Sequence, residues 1–527
     1  MRKIVLALFV LIAIHSVHAQ GIATTQQRKL MQVLSAVSNL YVDTINDKKI
    51  IETSIRGLLK DLDPHSTYIP AEEVERMHEP LEGNFEGIGI QFQILDDTIN
   101  VVQTIAGCPA EKVGVLPGDR IIYIDTTLVA GRKFQNSDVF KKLRGKKGTE
   151  VIVKIKRNNV NELLEFKIIR DKIPIYSVDA SYMADKGIGY IKINSFGSTT
   201  ADEFRSALTK LKKQGMKDLV LSLQGNGGGY LGTAIELADE FLSNDKLIVY
   251  TEGIHQPRSD ASSTSKGNFE KGKLIVLVDE YSASASEIVS GALQDWDRAL
   301  IVGRRTFGKG LVQKELALVD GSSMRLTVAR YYTPSGRCIQ KSYKDGTEKY
   351  YNDVVERYKK GELMHADSIH FADSLKFKTK LLNRTVYSGG GIMPDVFVPI
   401  DTTGFTDYHR NLVAKGIINR VTLQFMNTNR DELKSKYPKF DIYNEKFTVS
   451  DGVLDNLLKE AEKEKIKPNP EQFEKSKSLI MKQIKALVAG DMWSTTEYYQ
   501  VIDSENESLQ KAIQILKTPN EYENLLK

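Results

Sequence analysis

Three serines stand close together in Tyr281-Ser282-Ala283-Ser284-Ala285-Ser286-Glu287. A lysine between glycines, Phe307-Gly308-Lys309-Gly310, follows 25 residues after the middle one. A serine hydroxyl is a weak nucleophile until a neighbouring base takes its proton, and a lysine can be that base when burial keeps its amine neutral. Ser-Lys is a variant of the Ser-His-Asp arrangement, and flanking glycines let the backbone close tightly around the lysine. The plainer reading is that Ser284-x-x-Glu287 is a capping box, with Ser284 the N-cap of a helix. A helix start also stabilises an oxyanion through its free N–H groups and dipole. Both readings place Ser284 in one spot and differ only in whether its hydroxyl meets Lys309. A triad assembled from afar stays open, since the chain carries His65, His78, His255, His365, His370 and His409, none in a motif with a serine. His65, beside Pro64, reads as structural.

The elements that must hold these residues follow from periodicity. Residues 274–278 are an uninterrupted apolar run of strand character. Ile288, Val289, Ala292, Leu293 and Trp296 then recur with helical period, and 299–302 is a second apolar run. Upstream, 189–193, 219–223 and 247–250 read as strands alternating with helices at 201–212 and 233–242, which argues an α/β layered core. Between two of them lies Gln224-Gly225-Asn226-Gly227-Gly228-Gly229. This turn lacks the Lys-Ser/Thr of a P-loop and the spacing of a dinucleotide site. Its other use is to offer backbone N–H groups to a developing oxyanion.

Around this core, Leu30, Val33, Leu34, Val37 and Leu40, then Ile50, Ile51, Ile55, Leu58 and Leu59, predict two or three helices over 20–80, ending at Asp63-Pro64. Residues 254–272 are polar and serine-rich and read as a loop. Residues 324–331 read as a strand, 341–385 as a charged, irregular insertion, and 396–400 as a further strand. From about 405 to 527 the pattern is helical, broken at 467–470, and its Lys/Glu runs read as solvated helix faces. The apolar and charged fractions, 41% and 27%, are ordinary for globular protein. Met1-Arg2-Lys3 followed by an apolar stretch at 4–14 and Val17-His18-Ala19 predicts a signal peptide over 1–19, with a retained anchor as the alternative. Loss of Arg2 and Lys3 takes the formal charge from +5 to +3, too weak to argue for nucleic acid or a membrane surface. Cys108 and Cys338 imply no disulfide framework, and no metal-ligand cluster is present in the sequence.

Residues 84–172 have another character. Gly87-Ile88-Gly89-Ile90 opens a strand, Cys108-Pro109-Ala110-Glu111-Lys112-Val113-Gly114 a short helix, and Leu116-Pro117-Gly118-Asp119-Arg120-Ile121 a turn into a strand. This resembles a PDZ domain. The resemblance implies that the Gly87–Ile90 loop holds a peptide's terminal carboxylate while the peptide adds as a strand.

The leader, N-terminal helices, PDZ segment, glycine turn, Ser-Ala-Ser-Ala-Ser-Glu and Phe-Gly-Lys-Gly-x-x-Gln occur in an order that resembles the C-terminal processing peptidases, or tail-specific proteases, over roughly 25–400. The resemblance implies an exported serine endopeptidase with an α/β, crotonase- or ClpP-like core at 173–400, a PDZ domain inserted before it, and helical flanks at 20–80 and 401–527. It implies Ser284 as nucleophile, Lys309 as base and Gln313 as the residue orienting that lysine. The oxyanion hole would use the amides of Ala285 and of Gly228 or Gly229, with Asp295 as structural support. It implies protein substrates taken by their C-termini and no cofactor or metal. A homo-oligomer through the C-terminal helices is a further expectation. Where the family pattern has Asp-Leu-Arg-x-Asn-Pro-Gly-Gly, this chain has Ser222-Leu223-Gln224-Gly225-Asn226-Gly227-Gly228-Gly229. That puts a salt bridge there in doubt and leaves the amides. The rival from another class is an inactive peptidase-like scaffold that binds peptides.

Overall fold

Every side chain of Leu274–Val278 is buried because both faces of its sheet are covered. In the computed structural model, which describes residues 24–158 and 160–527, this strand lies inside a six-stranded sheet. The leader expected at 1–19 falls outside the described residues. The strand runs parallel to Asp218–Ser222 and Leu300–Gly303, with Leu221 opposite Val276 and Val276 opposite Ile301. Ile188–Ile193 and Val396–Phe397 extend the parallel set, and Val178–Asp185 closes one edge antiparallel.

Alternation along the strand sends Leu274, Val276 and Val278 to one face, under the helices Thr200–Lys213, Leu231–Asp239 and Ala285–Asp295. Ile275 and Leu277 go to the other, where they meet Leu509, Ala512, Ile515 and Tyr522 of the last two helices, Glu507–Lys517 and Glu521–Leu526. A sheet covered on both sides reads as an unbroken apolar run rather than an alternating one. Burial of each such aliphatic side chain contributes about 1.5–3 kcal/mol. The tail after 405 is therefore more than solvated helices. Its end covers the core sheet, and the rest folds around its own core of Leu412, Val421, Met426, Leu457, Ile480 and Ile484.

A second, antiparallel sheet stands beside the first. Ser323–Tyr332 pairs with Leu311–Ala317 along one edge and with Thr67–Ile69 and Leu247–Gly253 along the other. Gln256–Ser262 completes it as a hairpin with Leu247–Gly253, where a loop was expected. That outer strand is mostly exposed, so it carries no apolar alternation to read. The insertion at 341–385 is also more ordered than expected, with a helix Thr347–Lys359 and a hairpin of Lys376–Lys378 with Thr385–Tyr387. Only Tyr350 and Arg357 of that helix are buried, too few to show a helical stripe in the sequence. The first helix, Thr24–Leu40, departs the other way. It forms as its periodicity predicts, but no residue of it is buried.

The segment read as a PDZ domain is a sheet in the order Ile90–Leu95, Thr98–Thr104, Arg120–Ile124, Glu150–Lys156, Leu164–Ile169, with the helix Asn136–Leu143 packed on it through Val139 and Leu143. Its entry and exit strands, Asn84–Gly87 and Asp171–Pro174, pair with each other and join it to the rest of the chain.

The C-terminal end of the helix Ala285–Asp295 is fixed by an ion pair with no solvent access. Arg337 lies 2.8 Å from Asp295 and also donates to Gln294 Oε1 at 2.7 Å, while Asp295 accepts from the Ser335 N–H at 2.9 Å. Removing one partner of a buried pair strands the other charge. Asp295→Ala is therefore expected to lower stability by about 3–5 kcal/mol in urea unfolding; a change under 1 kcal/mol would show that the pair anchors nothing.

Candidate active site

The glycine turn and the serine turn leave adjacent parallel strands at the same end of the core sheet, so their loops meet there. The Ala283 N–H donates to the Asn226 carbonyl at 3.0 Å. Asn226, wholly buried, also donates its side-chain amide to the Ile193 carbonyl at 2.9 Å and accepts from the Gly228 N–H at 2.8 Å. Gly228 sits at φ +101°, and a Cβ on it would lie 2.7 Å from Ser284 Cβ and 2.9 Å from the Ala285 nitrogen. Only glycine allows that approach.

The structure separates the three serines. Ser282 Oγ donates to the Leu223 carbonyl at 2.8 Å and Ser286 Oγ to the Asn226 carbonyl at 2.9 Å, and both residues are fully buried. Ser284 is half-buried, and among the described residues its hydroxyl donates to no acceptor. The expected capping box forms: Glu287 accepts from the Ser284 N–H at 2.8 Å, and the Glu287 N–H faces the Ser284 side chain while bonding the Ser284 carbonyl at 2.8 Å. Ser284 stands at φ +56°, ψ −113°, an arrangement that costs a non-glycine residue about 1–3 kcal/mol and recurs at functional sites.

Lys309 sits in the loop between Leu300–Gly303 and Leu311–Ala317. That loop is held to the serine turn by one carboxylate. Besides the Ser284 N–H, Glu287 accepts from Thr306 Oγ1 at 2.5 Å, the Gly308 N–H at 2.7 Å and the Lys309 N–H at 2.9 Å. Burial pushes the Glu287 carboxyl up to about 7, while these four donors hold its ionised form. Tyr331 braces the same two segments, its hydroxyl donating to the Lys309 carbonyl at 2.5 Å with the Ser284 carbonyl at 3.1 Å.

Ser284, Ala285 and Lys309 line one cavity of about 380 Å³, with Gly229, Gln313, Leu231, Ile288, Leu311 and Tyr331 in its wall. Among the described residues the Lys309 amine has neither an ion-pair nor a hydrogen-bond partner. Burial, helped by the Arg325 guanidinium, holds it below the usual lysine range against the pull of Glu287 and Asp63. Of the candidate oxyanion donors, the Ala285 and Gly229 N–H groups have no acceptor among the described residues, whereas that of Gly228 is spent on Asn226. Gln313 shares the cavity, but its amide donates to Thr327 Oγ1 at 3.4 Å and not to Lys309. In the PDZ segment the Ile88 and Gly89 N–H groups likewise lack acceptors among the described residues, and Ile90 opens an edge strand.

Three neighbours carried no usable signal in the sequence. His78 and Glu315 line the cavity and bond each other at 2.8 Å. His65, read as a structural turn residue, packs beside the lysine loop. It bonds the Tyr350 hydroxyl at 2.9 Å, and burial together with the Lys309 charge pushes it down to about 4. A lone histidine in a turn announces no partner until the insertion helix supplies Tyr350.

Glu287→Gln places an NH₂ among groups that all donate. It is expected to cost at least one charge-assisted hydrogen bond, about 1.5–3 kcal/mol, and to lower kcat/KM. Thermal unfolding and peptide hydrolysis measure the two, and an unchanged melting temperature with full activity would show that the bridge is dispensable.

Comparison with known proteins agrees with this layout. Residues 187–349 match peptidase family S41, 87–168 match the PDZ domain, and 408–494 match a family of unknown function. A carboxy-terminal-processing protease of Bartonella bacilliformis is 38% identical over 336 residues, 62% of this chain and 76% of that one. The carboxy-terminal processing protease CtpA of Bacillus subtilis is 34% identical over 344 residues, 63% of this chain and 73% of its own length. CtpB of the same organism is 35% identical over 318 residues, 59% of this chain and 65% of its own. On these motifs, this architecture and relatives matched over 65–76% of their length, the chain belongs to the carboxy-terminal processing proteases of peptidase family S41.

Proposed function

We propose that the chain is an exported serine endopeptidase that uses Ser284 and Lys309 as a dyad and takes substrates by their C-termini. The observation that carries this reading is that the one serine of the turn with an unspent hydroxyl shares a cavity with a lysine amine that burial keeps below its ordinary pKa. Ser284 Oγ attacks the scissile carbonyl while neutral Lys309 takes its proton. The oxyanion forms against the Ala285 and Gly229 N–H groups, at the start of the helix Ala285–Asp295, where the dipole adds to the two donors. The lysine then returns the proton to the leaving amine, and water activated by the same base releases the acyl group. None of these steps calls for a metal or cofactor. The hydroxyl and amine are not hydrogen-bonded to each other in this resting arrangement; catalytic hydrogen bonds are often long until substrate closes the site.

The PDZ segment would engage the terminal carboxylate through the Gly87-Ile88-Gly89-Ile90 loop, with the peptide adding along Ile90–Leu95. Export rests on the leader at 1–19, which points to the cell envelope or periplasm. An oligomer through the C-terminal helices would use 407–492, since Tyr499 and 507–526 are committed to the core sheet.

A histidine base is the second reading, because the bonded pair His78 and Glu315 lines the same cavity as Ser284. Ser284→Ala and Lys309→Ala are each expected to abolish cleavage of an unfolded protein with an apolar C-terminus while the fold persists, and His78→Ala to keep most activity. Full activity in Ser284→Ala would sink the assignment. Activity that survives in Lys309→Ala but not in His78→Ala would move the base to the histidine. A wild-type chain that binds such substrates without cleaving them would leave a peptide-binding scaffold. The pH profile is a separate test. The base acts when neutral, so kcat/KM is expected to rise with pH through an inflection below the ordinary lysine value of about 10.4. A profile flat from pH 5 to 10 would exclude lysine as the base.

A further inference from the structure

We propose that Asp63, acting through the Thr327 hydroxyl, fixes which end of the Gln313 amide faces Lys309 and so positions the catalytic base. This rests on the reading of Ser284 and Lys309 as the dyad with Gln313 as the lysine's partner.

The argument is one of donors and acceptors. Asp63 is buried in the turn after the helix Asp47–Lys60. Its carboxylate accepts from the His65 N–H at 2.8 Å, the Ser66 N–H at 2.9 Å, Ser66 Oγ at 2.5 Å and Thr327 Oγ1 at 3.0 Å. A carboxylate only accepts, so the Thr327 hydroxyl spends its single proton on Asp63. What remains on Thr327 Oγ1 is lone pairs, and the group facing them, 3.4 Å away, is the donating nitrogen of Gln313. The amide is thereby set with Nε2 toward Thr327. Its Oε1, without a partner among the described residues, is left as an acceptor in the cavity that holds Lys309. Flipped, the amide would set oxygen against lone pairs at Thr327 and present N–H groups to an amine that needs an acceptor. The logic matches a buried aspartate fixing the tautomer of a catalytic histidine, one atom further removed.

The Asp63 turn is itself held in place. The Thr327 N–H donates to Ser66 Oγ at 3.1 Å, so the turn grips Thr327 by main chain and side chain together. From outside, the insertion helix Thr347–Lys359 clamps it, with the Tyr351 hydroxyl donating to the Pro64 carbonyl at 2.6 Å and Tyr350 bonding His65 at 2.9 Å. The insertion thus acquires a role, since it closes the turn that orients Gln313. Asp63 also adds negative charge near Lys309, which favours the protonated amine.

Charge and hydrogen bond can be tested separately in the full chain by measuring kcat/KM against pH. Thr327→Val keeps the charge and removes the hydroxyl; it is expected to lower the plateau about 10- to 100-fold, by analogy with the loss of groups that orient metal ligands, while Thr327→Ser restores it. Asp63→Asn should lower the plateau similarly. It should also move the acid limb to lower pH, because loss of the negative charge makes Lys309 easier to deprotonate. A purely structural role would lower the plateau and leave the limb in place. Wild-type kcat/KM in Thr327→Val, or an unmoved limb in a folded Asp63→Asn, overturns the proposal. If Asp63→Asn does not fold, the contrast between Thr327→Val and Thr327→Ser decides. Lys309→Ala, run alongside, keeps the two levels apart. If it is active, the dyad reading fails; if it is inactive while Thr327→Val is at wild-type level, only the positioning chain fails.

Discussion

One buried carboxylate joins the two halves of the site. Glu287 takes hydrogen bonds from the backbone of Ser284 and from the backbone of Gly308 and Lys309. Ser284 and Lys309, 25 positions apart in sequence, therefore share a single anchor. Four donors on two oxygens leave little freedom, and full burial makes any loss of one costly. The same carboxylate sits in the first turn of the helix Ala285–Asp295, so that helix and the loop that carries Lys309 cannot move independently. The strained backbone at Ser284 is affordable only because Glu287, Tyr331 and the Asn226 turn all determine where that residue sits.

This arrangement contains an electrostatic conflict. In the proposed dyad the lysine must be neutral, and burial with Arg325 works toward that. Glu287 and Asp63, the two carboxylates that organise the site's backbone and hydrogen bonds, work against it. Their oxygens are saturated by other donors, and neither forms an ion pair with the amine. Each keeps its structural role while its field at Lys309 is partly offset by the dipoles that point at it. A direct ion pair would have held the lysine more firmly and made it useless as a base.

How much of this could be read from the chain follows from how each part is built. The core strands were legible because burial on both faces leaves an unbroken apolar run such as Leu274–Val278. The serine and lysine were legible as chemistry, and their order among other motifs carried the family. What the sequence hid were elements buried on one edge or not at all. Gln256–Ser262 shows polar residues to solvent and carries no strand alternation. The insertion helix buries only Tyr350 and Arg357. The first helix has the stripe of a buried helix and buries nothing. At the site, the choice of Ser284 over Ser282 and Ser286 depended on where hydroxyls point, which spacing cannot report. The choice between Gly228 and Gly229 depended on a single bond that the Gly228 N–H donates to Asn226.

The parts without chemistry of their own explain why the site needs so long a chain. The face of the core sheet opposite the helix Ala285–Asp295 is closed by residues 507–526, with the Tyr522 hydroxyl bonded to the backbone of Leu274 at the start of the strand that leads to Ser284. The Asp63 turn comes from the N-terminal helices and reaches the lysine's neighbourhood only because the second sheet pairs Thr67–Ile69 with Ser323–Tyr332. A strand of three residues cannot hold register alone. Here the bonds that Thr327 donates to Asp63 and Ser66 extend it past its last pair, and Tyr350 and Tyr351 hold the preceding turn at His65 and Pro64. The site is thus assembled from pieces far apart in the chain, the Asp63 turn, the glycine and serine turns and the Lys309 loop, which the two sheets bring together.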